Sequence, residues 1–417
     1  MKRIQSRAVL RQGKRKVMIG LSRAEGKNKL LLFMAAYFTM HMCISCQYNY
    51  MSLFFESHGM TDVQIGILMG VGPLAATIGQ YTWANVADKA SSINKVLLSV
   101  MSVAALTLVP YFVLTGFPVY LVTIIVYNFF VSAATPLYDT MCLYYAAEKH
   151  YAFGHMRMVG SLGYLLCMIS SGILVAYYVG VIFVIQAVAF ALFLFFLSRL
   201  PKIKMPRLKK AAFNPMVMLR KPSVAAISGV LLVLHFGYGL NNAFFTPYFV
   251  TELGAPSYFI SIGAVLSIAI EVTYFTFFDR LVQRVPFKVL FAIAASLSAV
   301  RWLICGVTQN IYVLMVSFAF EGITSVGPIY LSVYYFKRVA PPEGKTSAQT
   351  LVHIITFGIG KCLGSFVGPH LTAALGGNLQ TTYAVLCASV ATAVVIFTLL
   401  PVKFQQQDNS TAGVVIE

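Results

Sequence analysis

Six ionisable residues interrupt stretches of the chain that are otherwise apolar enough to lie inside a lipid bilayer. They are three acids and three bases: Asp139, Arg157, Glu271, Arg301, Glu321 and Lys361. A charge at the bilayer centre costs at least ~2.5–3.5 kcal/mol on insertion scales, so such residues usually face a bundle interior or a water-filled cavity. Because buried ion pairs stabilise a fold poorly once desolvation is counted, a packing role alone is the weaker interpretation. The charges predict an ion or substrate pathway across a membrane.

The composition indicates which elements must hold these residues. Of the 417 residues, 59% are hydrophobic and 11% are charged, which predicts an integral membrane protein. A membrane-spanning helix needs about 20 apolar residues. Twelve runs of that order lie at 30–55, 64–86, 96–114, 119–146, 158–177, 181–198, 224–250, 258–280, 288–306, 311–337, 348–374 and 383–402. The predicted fold is therefore all-α, with twelve transmembrane helices.

Lys and Arg are concentrated in alternate connections between the predicted helices. The formal net charge is +18, and basic residues crowd into 1–29, into 199–223 and after the second, fourth, eighth and tenth runs. The connections at 56–59, 115–118 and 251–254 contain no Lys or Arg. By the positive-inside rule, both termini and the central connection are expected in the cytoplasm. The basic charge is interpreted as an orientation signal and lipid-surface anchor in a cell membrane, and not as a nucleic-acid site.

The central basic stretch divides the chain into two similar halves of six predicted helices. Ile65-Gly66 recurs as Ile262-Gly263, and Pro136-Leu137-Tyr138 recurs as Pro328-Ile329-Tyr330. Two parallel repeats predict a ligand site near the membrane midplane between the halves, with access alternating as the halves rock. The predicted parts are a basic cytoplasmic tail (1–29), a first six-helix bundle (30–198), a cytoplasmic linker (199–223), a second six-helix bundle (224–402) and a cytoplasmic tail (403–417).

Asp139 and Arg157 are eighteen residues apart, on the two sides of the predicted turn after the fourth helix. A hairpin of that size can bring the two side chains together. Such a pair in a wet cavity can bind hydroxyl-rich ligands, because the carboxylate accepts hydrogen bonds and the guanidinium donates several. Tyr164 follows Arg157 by seven residues, which is two helical turns along on about the same face.

Two motifs resemble a known family. The turn Ala84-Asn85-Val86-Ala87-Asp88-Lys89 resembles the Gly-x-x-x-Asp-Arg signature of the major facilitator superfamily, with Ala for Gly and Lys for Arg. The run Phe153-Gly154-x-x-Arg157-Met158-x-Gly160-x-x-Gly163-Tyr164 and the order of acids and bases are similar to the lactose-permease branch, the oligosaccharide:proton symporters. The resemblance spans nearly the whole chain. It implies the major facilitator fold, two pseudo-symmetric six-helix bundles.

For the first half, the resemblance implies a sugar site and a gate. Asp139 and Arg157 would hold the sugar, and the ring of Tyr164 would stack against it. Asp stands here for the usual Glu of the family, and Tyr stands for its Trp. Asp88 is implied as a gate residue that latches the cytoplasmic side.

For the second half, the resemblance implies the proton site. Glu321 matches the residue that carries the transported proton, and Arg301 matches the base that helps to drive its deprotonation. Glu271 would couple the sugar site to the proton site. The His that the family has three residues before the proton carrier is Phe318 here. Lys361 matches a base that the family pairs with acids of the seventh helix.

Amide and imidazole side chains at lipid depth are further candidates. Asn241 and Asn242 stand where the family has those acids, and Gln47 and Asn49 occupy the related region of the first half. They are expected to line the cavity, with interhelical hydrogen bonding as the alternative. His353 is a further candidate for proton coupling.

These observations predict a secondary transporter that couples protons to the symport of a sugar or another hydroxylated small molecule. One alternative is a proton-coupled antiporter that exports drugs or amphipathic metabolites, and another is a membrane receptor or scaffold. The sequence has no Gly-x-x-x-x-Gly-Lys-Ser/Thr stretch, so neither ATP-driven pumping nor a cofactor is expected, and no catalytic triad or metal cluster suggests an enzyme. The expected partners are a small-molecule substrate, protons and the lipid bilayer, and the chain is expected to act as a monomer.

Overall fold

The computed structural model describes residues 28–45, 49–149, 151, 153–201, 203, 214–341 and 344–401. Within this part, twelve helices are long and apolar enough to cross a membrane. The first six are α1 (Asn28–Ser57), α2 (Asp62–Lys89), α3 (Ile93–Val113), α4 (Phe117–Lys149), α5 (Phe153–Leu174) and α6 (Val181–Arg199). The second six are α7 (Pro222–Glu252), α8 (Tyr258–Phe278), α9 (Phe287–Val307), α10 (Ile311–Val339), α11 (Ser347–Ala374) and α12 (Leu379–Leu399). The predicted all-α fold with twelve spans is confirmed.

The helices α4 and α10 are interrupted at equivalent places in the two halves. The segments are Phe117–Val131 and Ala134–Lys149 in α4, and Ile311–Thr324 and Gly327–Val339 in α10. Pro136 and Pro328 lie in the first turn of each second segment. Proline has no N–H and its ring clashes with the carbonyl four residues earlier, so each interruption follows from the repeated proline. Asp139 lies just after the interruption in α4, and Glu321 lies just before the one in α10.

Glycines allow the first helix of each half to approach the fifth. A Cβ on Gly163 of α5 would overlap the backbone of Phe38 in α1, and a Cβ on Gly364 of α11 would overlap the backbone of Phe236 in α7. Small residues at helix crossings in membranes permit this kind of close packing. The helices that hold Arg157 and Lys361 are thereby fixed against α1 and α7.

Polar contacts join the two halves at the end of the molecule where α1 and α7 finish. The Tyr50 hydroxyl lies 2.6 Å from Ser261 Oγ of α8, and Ser261 Oγ donates to the Met168 carbonyl of α5 at 2.6 Å. Thr251 Oγ1 donates to Glu56 Oε2 at 2.8 Å. We call the end of the molecule that carries these contacts of Tyr50, Glu56, Thr251 and Ser261 the closed end.

Candidate functional site

A cavity of about 410 Å³ lies between the two halves of the molecule. The helices α1 and α5 line it from the first half, and α7, α8, α10 and α11 line it from the second. Its lining includes seven of the residues that the sequence singled out: Asn49, Tyr164, Asn241, Asn242, Glu271, Glu321 and Lys361. A cavity of this size with a few polar groups among apolar ones is the usual form of a small-molecule site.

The carboxylate of Asp139 in α4 accepts hydrogen bonds from two donors. Arg157 Nη1 of α5 donates to Oδ2 at 3.0 Å, and the Tyr37 hydroxyl of α1 donates to Oδ1. The Arg157 side chain is 53% exposed, whereas that of Asp139 is 21% exposed. The hairpin of α4 and α5 therefore brings the two charges together outside the described cavity lining, and about half of the Arg157 side chain stays exposed.

Tyr37 and His41 were missed by the sequence reasoning. His41 lines the cavity, and its ring stacks on that of Tyr37 with centroids 4.9 Å apart and planes 16° apart. Tyr37 and His41 are four positions apart, so they share one face of α1, and this spacing could have been recognised in the sequence. The sequence does not reveal that this face meets Asp139, because that contact depends on how α1 packs against α4.

Arg301 of α9 is fully buried and pairs with Glu321 of α10. Its Nη2 donates to Glu321 Oε2 at 2.8 Å, and the Glu321 side chain is 24% exposed in the cavity lining. The guanidinium carbon lies 4.9 Å from the Trp302 ring, 5.3 Å from Phe318 and 6.0 Å from Tyr238. Aromatic faces attract a cation at such distances. The base is thus enclosed by rings, and the acid alone faces the cavity.

Glu271 of α8 lines the cavity from the second half and lies within electrostatic range of Arg157 in the first. The helices α8 and α10 approach closely here, because Gly322 leaves room for the backbone of Ser267 and Glu271. Glu321 precedes Gly322 in the chain, so the same contact sets the two carboxylates on adjacent helices. Glu271 therefore lies between the Asp139–Arg157 pair and the Arg301–Glu321 pair.

Three amide side chains line the cavity. Asn49 Nδ2 donates to Met168 Sδ at 3.0 Å, and Asn241 Oδ1 accepts from the Tyr383 hydroxyl at 3.1 Å. Asn242 lies next to Asn241 and is half-buried. Asn49 and Asn241 therefore serve interhelical hydrogen bonding as well as lining the cavity.

Phe357 of α11 is surrounded by basic side chains. Lys361 Nζ lies 5.1 Å from its ring centroid, the His353 ring stacks on it at 5.6 Å, and the His235 ring of α7 meets it edge-on at 6.0 Å. The stretch Ile354–Gly360 is a π-helix, a feature that often occurs at functional sites and changes the helical register. The structure gives Lys361 a cation–π contact, and the described cavity lining includes Lys361 and His235 but not His353.

Four other candidates lie outside the described cavity lining: Asp88, Asp139, Arg157 and Arg301. Asp88 is half-buried in the last turn of α2, which ends at Lys89. Gln47 lies outside the described residues, so its predicted position on α1 has no structural counterpart here.

Comparisons with known proteins give the family of the chain. The family described as MFS_1 like matches residues 30–385. The chain is 24% identical over 351 residues to a maltose permease of Geobacillus stearothermophilus, covering 82% of this chain and 87% of the relative. It is 21% identical over 321 residues to the uncharacterized transporter YwbF of Bacillus subtilis (strain 168), covering 76% of this chain and 79% of the relative.

The fold is also found in solved structures. The crystal structure of the nucleoside transporter NupG has a TM-score of 0.78 at 16% identity, covering 89% of this chain and 98% of that one. An auto-inhibited POT family peptide transporter has a TM-score of 0.72 at 10% identity, covering 92% of this chain and 98% of that one. At these identities the likeness concerns the fold, two pseudo-symmetric six-helix bundles. With a family match over most of its length, this chain belongs to the MFS_1 like family and is a multi-pass membrane transporter of the major facilitator type.

Proposed function

We propose that this transporter couples protons to the symport of a sugar or another hydroxylated small molecule by alternating access. The observation that carries the proposal is the Glu321 carboxylate, which faces the cavity while it pairs with a fully buried Arg301. A carboxylate in this position can exchange a proton with water in the cavity. When it is protonated, the buried positive charge of Arg301 is no longer neutralised. The likeness to a relative named as a maltose permease favours a sugar as the ligand.

On the ligand side, Asp139 and Arg157 hold hydroxyl groups, and the ring of Tyr164 supports the apolar face of the ligand. The exposed guanidinium of Arg157 supports this assignment, because its remaining N–H groups are accessible. The amides of Asn49, Asn241, Asn242 and, from the sequence, Gln47 complete the ligand site. Amides supply both donors and acceptors, as a polyhydroxylated ligand requires.

On the proton side, Glu321 binds the transported proton and Arg301 promotes its release. Glu271 links the two sites, since it lies on the cavity beside Glu321 and within range of Arg157. Lys361 and His353 contact Phe357 and contribute basic groups near the proton site. Because protonation and ligand binding both shift one conformational equilibrium, the proton gradient can drive accumulation.

For topology, we propose a monomer in the cell membrane with both termini in the cytoplasm. The bundles at 30–198 and 224–402 rock about the cavity, with the linker 199–223 and the tails 1–29 and 403–417 on the cytoplasmic side. The closed end is then extracellular, and the described conformation faces inward. The half-buried Asp88 at the cytoplasmic end of α2 latches that side in the opposite state.

The second candidate is proton-coupled export of amphipathic compounds. The aromatic share of the cavity lining favours it: Tyr164, Tyr238, Phe245, Phe318 and Phe357. Flat aromatic side chains offer stacking faces to the rings of aromatic compounds. The direction of proton movement relative to the ligand distinguishes symport from antiport.

Counterflow in proteoliposomes tests the ligand class directly. Vesicles are loaded with one unlabelled compound from a panel of maltose, glucose, uridine and an aromatic cation, and uptake of the same labelled compound is followed. A transient accumulation of a sugar or nucleoside supports the proposal. Counterflow of the cation alone would support the exporter instead.

Cross-linking of the closed end is expected to stop transport. Glu56 and Thr251 hydrogen-bond across the two bundles, so Glu56→Cys/Thr251→Cys joined by a short bis-maleimide fixes that end shut. Counterflow should fall to the background of empty vesicles. Each single cysteine variant, treated alike, serves as the control and should keep its counterflow. Undiminished counterflow in the cross-linked protein would contradict alternating access through this end.

Tyr37→Phe is expected to weaken ligand binding while leaving the fold intact. The change removes the hydroxyl that donates to Asp139 Oδ1, and a hydrogen bond to a charged group contributes about 1.5–3 kcal/mol. The carboxylate is then held from one side, so the ligand dissociation constant should rise on the order of ten-fold or more. Equilibrium binding of the active panel compound measures it. Tyr81→Phe, at an exposed position of α2, is the matched control.

A further inference from the structure

One histidine from the first helix of each bundle lines the cavity: His41 of α1 and His235 of α7. They are 194 positions apart in the chain. That separation lies between those of the repeated Pro136/Pro328 and Ile65/Ile262 pairs, so the two histidines occupy related places in the two bundles. The cavity is thus flanked by one imidazole from each side.

Both rings are anchored by the same local hydrogen bond. His41 Nδ1 lies 3.1 Å from the Tyr37 carbonyl oxygen, and His235 Nδ1 lies 2.9 Å from the Leu231 carbonyl oxygen, each four positions earlier. A carbonyl oxygen only accepts, so Nδ1 must carry the hydrogen. In a neutral imidazole the other nitrogen, Nε2, is then an acceptor.

Neighbouring groups hold each ring in place. The His41 ring stacks on Tyr37, and the His235 ring contacts those of Tyr238 and Phe357 at 5.7 and 6.0 Å. Gly160 of α5 leaves space for the rings of Tyr37 and His41, and Gly360 lets α11 approach the Cβ atom of His235. Rings fixed in this way lose little further freedom when a ligand binds.

We propose that His41 and His235 determine specificity, each Nε2 accepting a hydrogen bond from a hydroxyl or N–H group on opposite sides of one neutral ligand. This assignment rests on the proposed function and narrows its ligand to an uncharged molecule with donors at both ends. The same lining carries the acids Glu271 and Glu321 and the base Lys361, so charges of both signs are present and neither a net anion nor a net cation is favoured. A ligand held by one ring from each bundle binds tightest when the bundles close around it.

The experiment compares variants that keep or remove the acceptor. Glutamine retains an acceptor oxygen, whereas phenylalanine keeps a flat ring without one. The full-length protein in nanodiscs is tested for binding of radiolabelled maltose and uridine as wild type, His41→Gln, His41→Phe, His235→Gln and His235→Phe. His58→Phe is the matched control, because His58 Nδ1 makes the same bond to the Phe54 carbonyl, at 2.9 Å, beyond the end of α1.

Each phenylalanine variant is expected to weaken binding on the order of ten-fold, since a ligand donor loses its partner in a closed site. The glutamine variants should stay within about three-fold of the wild type, as expected when an acceptor is retained. His58→Phe should bind as the wild type does. Thermal melting of each protein is recorded in parallel.

The outcomes separate this inference from the proposed function. If the wild type binds maltose or uridine and the phenylalanine variants bind equally well, the histidines do not determine specificity. Equal losses in the glutamine and phenylalanine variants at unchanged melting temperature would overturn the acceptor role. If unlabelled glucose 6-phosphate competes with the radiolabelled maltose better than glucose does, the site prefers an anion and the neutral-ligand assignment is refuted. A wild type that binds neither sugar nor nucleoside overturns the proposed function itself.

Discussion

Proteoliposomes containing Glu321→Gln are expected to exchange ligand across the membrane but to show no uphill accumulation. An amide neither takes up nor releases a proton in the cavity, yet its oxygen can still accept the hydrogen bond that Arg301 Nη2 makes at 2.8 Å. Ligand binding and the rocking of the loaded carrier should therefore persist. Counterflow and proton-driven uptake of the same labelled sugar, measured on the same preparation, separate the two activities.

The same substitution is expected to reduce stability, because Arg301 has no exposed side-chain surface. Removing one partner of a buried ion pair typically costs about 3–5 kcal/mol. The double variant Arg301→Gln/Glu321→Gln removes the buried charge and should recover part of the melting temperature without recovering accumulation. Glu148→Gln, at an exposed glutamate whose partner is Lys149, is the matched control for both measurements. Proton-driven accumulation that survives in Glu321→Gln would refute the assignment of the proton carrier.

Arg157→Ala is expected to abolish ligand binding, and with it both exchange and accumulation. The change removes the guanidinium donors that we propose to hold the ligand and also the partner of Asp139 at 3.0 Å. Truncating one member of a hydrogen-bonded charge pair in a binding site costs about 2–5 kcal/mol. At the lower limit this is a loss of affinity on the order of thirty-fold. Equilibrium binding of the sugar that is active in counterflow gives the value.

Two further variants make the Arg157 result specific. Arg157→Lys keeps the charge but not the planar fork of donors, so binding should be weakened less than by alanine. Beyond Phe278 the helix of α8 continues to Arg284, and Arg280 in this part is exposed and contacts Phe277. Arg280→Ala should leave binding unchanged. Full affinity in Arg157→Ala would show that Arg157 does not hold the ligand.

Much of the fold could be read from the chain, because the bilayer imposes a length on each apolar run. The repeated Pro136 and Pro328 also lie where α4 and α10 are interrupted, a local signal that the sequence analysis used only as evidence of the repeat. The spacing of Asp139 and Arg157 led correctly to their contact, as the connecting turn is short. These features depend on local geometry.

The residues that were missed depend on packing between distant helices. Tyr37 reaches Asp139 from α1, 102 positions away in the chain, and the Tyr238 hydroxyl of α7 hydrogen-bonds with Thr324 of α10. His235 faces the cavity from α7, and Gly360 of α11 packs closely against its Cβ atom. The rotation of α1 and α7 about their own axes decides which of their side chains face the cavity. Neither the hydrophobic pattern nor the family motifs of the sequence predict that rotation.

The π-helix Ile354–Gly360 is a second feature that the hydrophobic pattern of the sequence does not predict. It adds a residue to the helical turn between His353 and Lys361, so an argument from regular helical spacing misplaces one relative to the other. In the described lining, Lys361 and Phe357 face the cavity and His353 stacks behind Phe357.

The most direct measurement of proton-coupled symport records sugar and proton movement together in the same proteoliposomes. The sugar active in counterflow, with maltose as the first candidate, is added outside vesicles that contain a pH dye and no imposed proton gradient. The wild type is expected to acidify the lumen as the sugar enters, and Glu321→Gln is expected to leave the lumen pH unchanged. Sugar uptake by the wild type without acidification, or with alkalinisation of the lumen, would contradict symport.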